Sequence, residues 1–309
     1  MPAPRPPPSW RYLLLALWLV LGSGACLAVD LDVWIPRDGP LQQAFIGTFQ
    51  EALARKGHRV GTITDLSATP APALAVDRIV VALGRQASQQ ALDAGARAVL
   101  SVLVSRRDAQ SLVEHGAGDR LGAIVLDQPL ARRLAMLRIL APEVGTVSVL
   151  ASADAPQTDD EFATAITAAG YTPRLETIER EQDIVPALER ILTPDAALLA
   201  TPDPGVFNRD TVMSILLTSY RHRRPVIGFT AAYVRAGAVA GVFSTPEDIA
   251  LQAAELIGAA DSNGKPVRGI HSPERYQVAV NDRVSRSLGL PEITEEALLA
   301  RLRAQEAAR

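Results

Sequence analysis

The chain has 309 residues, of which 48% are apolar and 21% charged, with a net charge of −3. This composition excludes a disordered chain, which lacks the apolar residues for a core, and disfavours nucleic-acid binding, which needs a basic surface. With one cysteine no disulfide is available, and a mature body of about 280 residues buries enough core to need none.

In chain order, a proline-rich start with Arg5 and Arg11 leads into the apolar run Tyr12–Leu21, followed by the small residues Gly22–Ala25 and then Cys26. This is the layout of a secretory signal peptide over residues 1–28, and the run is short for a membrane span. Export to a periplasmic or extracytoplasmic compartment follows. Two cleavage readings stand. Ser23–Cys26 resembles a bacterial lipobox, which makes Cys26 a candidate for lipidation and so for the chain's only membrane contact; ordinary cleavage after Ala25 or Ala28 is the other.

After the signal, one unit recurs: a short apolar, β-branched run, a turn, and an amphipathic helix. The runs are 31–35, 78–83, 98–104, 123–126, 146–150, 196–200, 225–229 and 238–243. Nearly continuous apolar runs predict strands buried on both faces. Between them, Leu41, Ala44, Phe45, Thr48, Phe49, Ala52 and Leu53 share one helical face, as do Ile249, Ala253, Leu256 and Ile257. Strands alternating with such helices predict parallel sheets with right-handed crossovers. The number of units exceeds one ordinary doubly wound sheet, so two α/β lobes is the natural parse; an eight-stranded barrel fits the same alternation.

No catalytic constellation emerges. His58, His115, His222 and His271 are scattered with no ligand spacing, so no metal site is expected. Gly116, Gly118 and Gly122 have the wrong spacing for a dinucleotide loop and precede a strand, which makes them a turn. There is no nucleophile elbow, no cofactor motif and no basic stripe for nucleic acid; Arg221–Arg224 follows a helix pattern and suits the negative end of its dipole.

Several stretches carry a resemblance: Ile124–Pro129 with the helix Leu134–Leu140, Thr146–Ser152, Leu198–Pro204, Arg224–Thr230 with Tyr233 and Ala236–Ala238, and Val278–Asn281 with Ser287–Leu290. Over residues 123–290 the chain resembles the substrate-binding proteins of ABC uptake systems, specifically the tryptophan/tyrosine-type branch. The N-terminal part resembles it more loosely, without a clear counterpart of one strand–helix unit around Thr64–Asp77. The resemblance implies an α/β fold of the type I periplasmic binding-protein kind: two doubly wound parallel-sheet lobes joined by a three-crossing hinge. It places crossings near Ala123 and Asp127, near Gly237 and near Arg268. Residues 29–124 and 238–268 then form the N-terminal lobe, and 125–237 and 269–309 the C-terminal lobe.

Parallel sheets bind ligands outside the carboxyl ends of their strands. Candidate ligand residues are therefore Arg37, Asp38, Gly84, Arg85, Gln86 and Ser105 in the first lobe, with Asp127, Ser152, Asp203, Phe207, Thr230 and Tyr233 in the second. This set suits a small zwitterion such as an amino acid. Helix-start amides at Gly84, aided by Arg85, would take a carboxylate, Asp203 an ammonium, and Phe207 would form an apolar wall. Structural roles compete at each position. Asp127 and Asp203 stand before prolines where acidic helix caps are ordinary, Arg85 suits a solvated first turn, and Phe207 suits a core.

Three function classes remain. Capture of a small molecule for an ABC permease leads. Ligand sensing on behalf of a membrane receptor or sensor kinase uses the same cleft with a different partner, and an exported hydrolase has no motif behind it.

Overall fold

The computed structural model describes residues 30–74, 78–153, 155, 159–263 and 267–308. The signal-peptide reading and Cys26 lie outside the described residues. Among the described residues, no helix is long and apolar enough to cross a membrane.

Twelve strands among the described residues form two six-stranded sheets. The first contains β1 (Asp30–Ile35), β2 (Arg59–Asp65), β3 (Ile79–Leu83), β4 (Ala98–Val104) and β5 (Leu121–Val125), with β11 (Gly269–His271) beside β5. Its order is β11-β5-β4-β3-β1-β2, with every pairing parallel. The second contains β6 (Thr146–Ser152), β7 (Thr172–Ile178), β8 (Ala196–Leu199), β9 (Val226–Gly228), β10 (Ala240–Phe243) and β12 (Gln277–Val280). Its order is β12-β10-β9-β8-β6-β7, parallel except for β12 against β10. Both sheets thus repeat one doubly wound plan, in which the chain reverses direction beside its first strand. Both are open, so the barrel is excluded.

Burial explains which strands are legible. In β5 and β8 every residue is buried, as both-face coverage by helices requires. The strands β2 and β7 lie at sheet edges with much of their length exposed, and neither reads as an apolar run. From Thr64 to Asp77 the described residues hold the end of β2 and then turns, with no helix. Helix Pro40–Ala54 buries Phe45, Phe49, Ala52 and Leu53 against Ile249, Ala253 and Ile257 of helix Pro246–Asn263, in one first-lobe core. Leu41, expected on the same face, sits in the first turn and is 62% exposed.

The strand pairings move two expected crossings. The chain leaves the first sheet after Val125. It returns only after β10, which pairs with β9 and β12, so this crossing falls near Ser244 instead of Gly237. Because β11 pairs with β5, the last crossing falls between His271 and Gln277 instead of at Arg268. An apolar run shows that a strand is buried without showing which of two sheets buries it.

One side chain ties the crossings together. Arg132, buried in helix Leu130–Leu140, donates from Nη1 to Gln128 Oε1 at 2.7 Å in the first crossing and to the Pro273 carbonyl at 2.9 Å in the third. Its Nε bonds Glu306 of the last helix, Glu295–Ala307, and its guanidinium stacks 3.9 Å from the Tyr276 ring centroid. Gln128 Nε2 reaches Ser244 Oγ at 2.8 Å, which brings in the second crossing. Arg132→Ala should lower the unfolding free energy by about 2–3 kcal/mol, under the range for a fully buried pair because Glu306 keeps 32% of its side chain exposed. Urea denaturation checks this, and a change below about 0.5 kcal/mol would show that the three crossings hold without it.

Candidate functional site

The carboxyl ends of both sheets meet at a cavity of about 280 Å³ beside the first crossing. Ser105 and Arg106 line it from the first lobe, Leu126–Leu130 from the crossing, and Arg133, Phe162, Thr201, Pro202, Phe229 and Thr230 from the second.

The first-lobe side is built at the end of β4, where Leu103 has φ +53 and the register with β5 slips between Val102 and Val104. Such an irregularity re-aims the strand end. Ser105 then opens helix Arg106–Leu112, its Oγ accepting the Asp108 amide at 3.1 Å. Asp127, half a turn past β5, accepts the Arg106 amide at 2.7 Å. Asp127 is therefore a cap, as expected, but for the helix after β4 and not for its own: helix Leu130–Leu140 starts from Pro129 with no side-chain cap. The Arg106 guanidinium turns to Ser272 Oγ at 3.1 Å.

Burial raises the Asp127 carboxyl above its usual range, opposed by the Arg106 amide and by the charges of Arg106 and Arg133. Burial also pushes the Arg133 guanidinium down to about 10, with Asp127 opposing the shift. Arg133 thus remains a cation at neutral pH. It is 5% exposed, its Nη2 donates to the Ala200 carbonyl, and its Nε is buried without a protein partner. The Thr201 hydroxyl beside it is likewise buried and unpartnered.

The aromatic wall is one cluster. Phe229 lies 5.3 Å from Tyr233 and 6.4 Å from Phe207, centroid to centroid. Phe229 lines the cavity, whereas Phe207 and Tyr233 are buried behind it in the second-lobe core. Thr230 lines the cavity and caps helix Ala231–Ala236, accepting the Tyr233 amide at 3.1 Å. The Tyr233 hydroxyl is buried without a partner, and burial raises its pKa.

Of the residues expected from the sequence, Ser105, Asp127 and Thr230 come together at this cavity. Arg37, Asp38, Arg85 and Gln86 are exposed and lie outside its lining. Asp38 accepts Gln43 Nε2 at 3.0 Å, and Arg85 pairs with Asp108 at 3.6 Å. Gly84, at φ +84, turns β3 directly into helix Gly84–Asp93, a conformation that favours glycine. Asp203 is 4% exposed and taken up inside the lobe: its carboxylate accepts the Ser152 amide at 2.6 Å, the Ser152 hydroxyl at 2.9 Å and the Gly205 amide at 3.0 Å. The loop is tight enough that a Cβ on Gly205 would stand 2.7 Å from that of Ser152. Both Ser152 and Asp203 thus serve the loop after β8.

Sequence reasoning missed Arg133, Phe162 and Thr201 as candidates. The available signal for Arg133 was two adjacent arginines in the otherwise apolar helix 130–140.

No protein-family model and no curated protein matches the chain. Solved structures do match. A ligand-free, open substrate-binding protein with adhesive properties from Clostridium difficile superposes with a TM-score of 0.65 at 14% identity, over 87% of this chain and 98% of that one. An ABC domain in complex with L-Trp from Streptococcus pneumonia gives 0.57 at 16% identity, over 88% and 98%. A conserved domain protein from Vibrio cholerae gives 0.57 at 17%, over 89% and 98%. At these identities the likeness establishes the fold: two parallel-dominated α/β lobes of the type I periplasmic binding-protein kind.

Asp203→Ala leaves three part-buried donor bonds around one loop without their acceptor and should cost about 1–3 kcal/mol of stability by urea denaturation. Asp203→Asn, which keeps an acceptor oxygen, should cost less. Equal stability of wild type and Asp203→Ala would contradict the assignment of this carboxylate to the loop.

Proposed function

We propose that this chain is an exported solute-binding protein that captures a small molecule between its lobes for an ABC-type uptake permease. The observation that carries this reading is the cavity lined from both lobes at the carboxyl ends of two sheets of like topology, next to crossings that can act as a hinge. Its volume of about 280 Å³ suits a molecule of amino-acid size. The fold shared with an L-Trp complex and with a substrate-binding protein supports the same reading, as does the resemblance of residues 123–290 to the tryptophan/tyrosine-type branch. The chain performs no chemistry in this reading. Export through residues 1–28 completes the picture, with Cys26 as the anchor if the lipobox is used.

Two measurements test it. Small molecules released by denaturing the purified protein and identified by mass spectrometry should include one that, added back, raises the melting temperature and reduces the radius of gyration in solution scattering. At a hundredfold excess over Kd the stabilisation should be about 2.7 kcal/mol. A released compound that neither stabilises nor compacts the protein would overturn capture between lobes. In a Gram-negative host the mature chain should begin at Cys26 or Val29 by intact mass, and if it begins at an acylated Cys26, Cys26→Ser should free it from the membrane fraction.

A further inference from the structure

Two residues that line the second-lobe wall of the interlobe cavity each carry a buried donor without a protein partner, Arg133 at Nε and Thr201 at its hydroxyl. We propose that the Arg133 guanidinium and the Thr201 hydroxyl form an anion subsite there, which takes the carboxylate of a small ligand whose apolar part lies against Phe162 and Phe229. This rests on the solute-binding reading and moves anion recognition away from Gly84 and Arg85, which stand outside the cavity.

Three observations converge. Arg133 is 5% exposed, yet its one protein bond is from Nη2 to the Ala200 carbonyl, while Nε is buried without a partner. Buried polar atoms are satisfied in the great majority of cases, so an orphan donor at a cavity wall marks a place where something else supplies the acceptor. Thr201 follows Ala200 directly, and its hydroxyl is a second orphan at the same wall. A structural tie to one carbonyl would need one donor; a guanidinium presents five in a rigid fork matched to a carboxylate.

Charge agrees with geometry. The ionisable residues lining the cavity are Arg106, Arg133 and Asp127, which leaves one positive charge in excess. The Asp127 carboxylate accepts the Arg106 amide and offsets part of the Arg133 charge, but among the described residues no carboxylate forms an ion pair with Arg133. A monoanion would bring the lining to neutrality. A sugar would leave the cation uncompensated, and a dianion would overshoot. The apolar part follows from Phe162, Phe229, Leu126 and Leu130, which supply the remaining wall.

The test uses the full mature protein and matched probes that differ only in charge: phenylacetate against phenylacetamide, and L-phenylalanine against L-phenylalaninamide, by titration calorimetry. Wild type should bind at least one acid tenfold or more tighter than its amide. Arg133→Gln should abolish that preference, and Thr201→Val should reduce it about threefold. Thr201→Val conserves shape, so it carries the test if Arg133→Gln does not fold. Acid and amide bound equally by wild type, or a preference that survives both substitutions, would overturn the anion subsite. Binding of glucose or myo-inositol without either acid would overturn it too, while leaving the solute-binding reading in place.

Discussion

A single buried cation joins the first and third crossings of this molecule. Three separate stretches of chain must pass between the lobes side by side, and nothing in a sheet or helix ladder holds them together there. Side chains do so: Arg132 bonds Gln128 and Pro273, Gln128 reaches Ser244, and Ser244 Oγ donates to the Arg275 carbonyl at 2.5 Å, so each crossing is fixed to the next. Burying a guanidinium is costly unless its donors are used and its charge is met. Glu306 meets the charge and Tyr276 covers the face, which explains why the last helix docks where it does. The Glu306 carboxylate also accepts the Tyr276 hydroxyl at 2.8 Å, and burial together with that carboxylate pushes the phenol up to about 12.

The next residue in the helix has the opposite character. Successive helical positions are rotated by about 100°, so Arg132 faces the crossings while Arg133 faces the cavity. One arginine is fully engaged by protein and the other is not.

Most of the architecture was legible because parallel strands covered on both faces leave an unmistakable apolar run. The edge strands β2 and β7 were not, since half-exposed strands resemble loops in a single sequence. The lobe to which β10 belongs was not legible either, because Val242 is equally apolar whichever sheet buries it. For the site, strand ends lead to Ser105, Asp127 and Thr230, which line the cavity because topology alone puts them at the cleft. Chemistry misled where it was read residue by residue. Asp203 is acidic and sits at a strand end, but Ser152 and Gly205 occupy its carboxylate. Arg133 lies inside a helix, where an arginine ordinarily reads as solvated surface, and only the packing of that helix against the second sheet reverses this.

The distribution of the lining between lobes also constrains how a ligand acts. Phe162, Thr201, Phe229, Thr230 and Arg133 belong to the second lobe, against Ser105 and Arg106 from the first. A ligand touching only the second lobe would bind the open and closed forms alike and shift nothing between them, because a population moves only by differential affinity. Closure therefore requires contacts from the first lobe that the open cavity lacks. On the proposed reading the exposed groups at its strand ends, Arg37, Asp38, Arg85 and Gln86, would supply them, since the carboxyl ends of β1 and β3 share a sheet with that of β4, which already reaches the cavity. Capture and closure are on this geometry separate free energies, the first set by the buried wall and the second by the exposed rim.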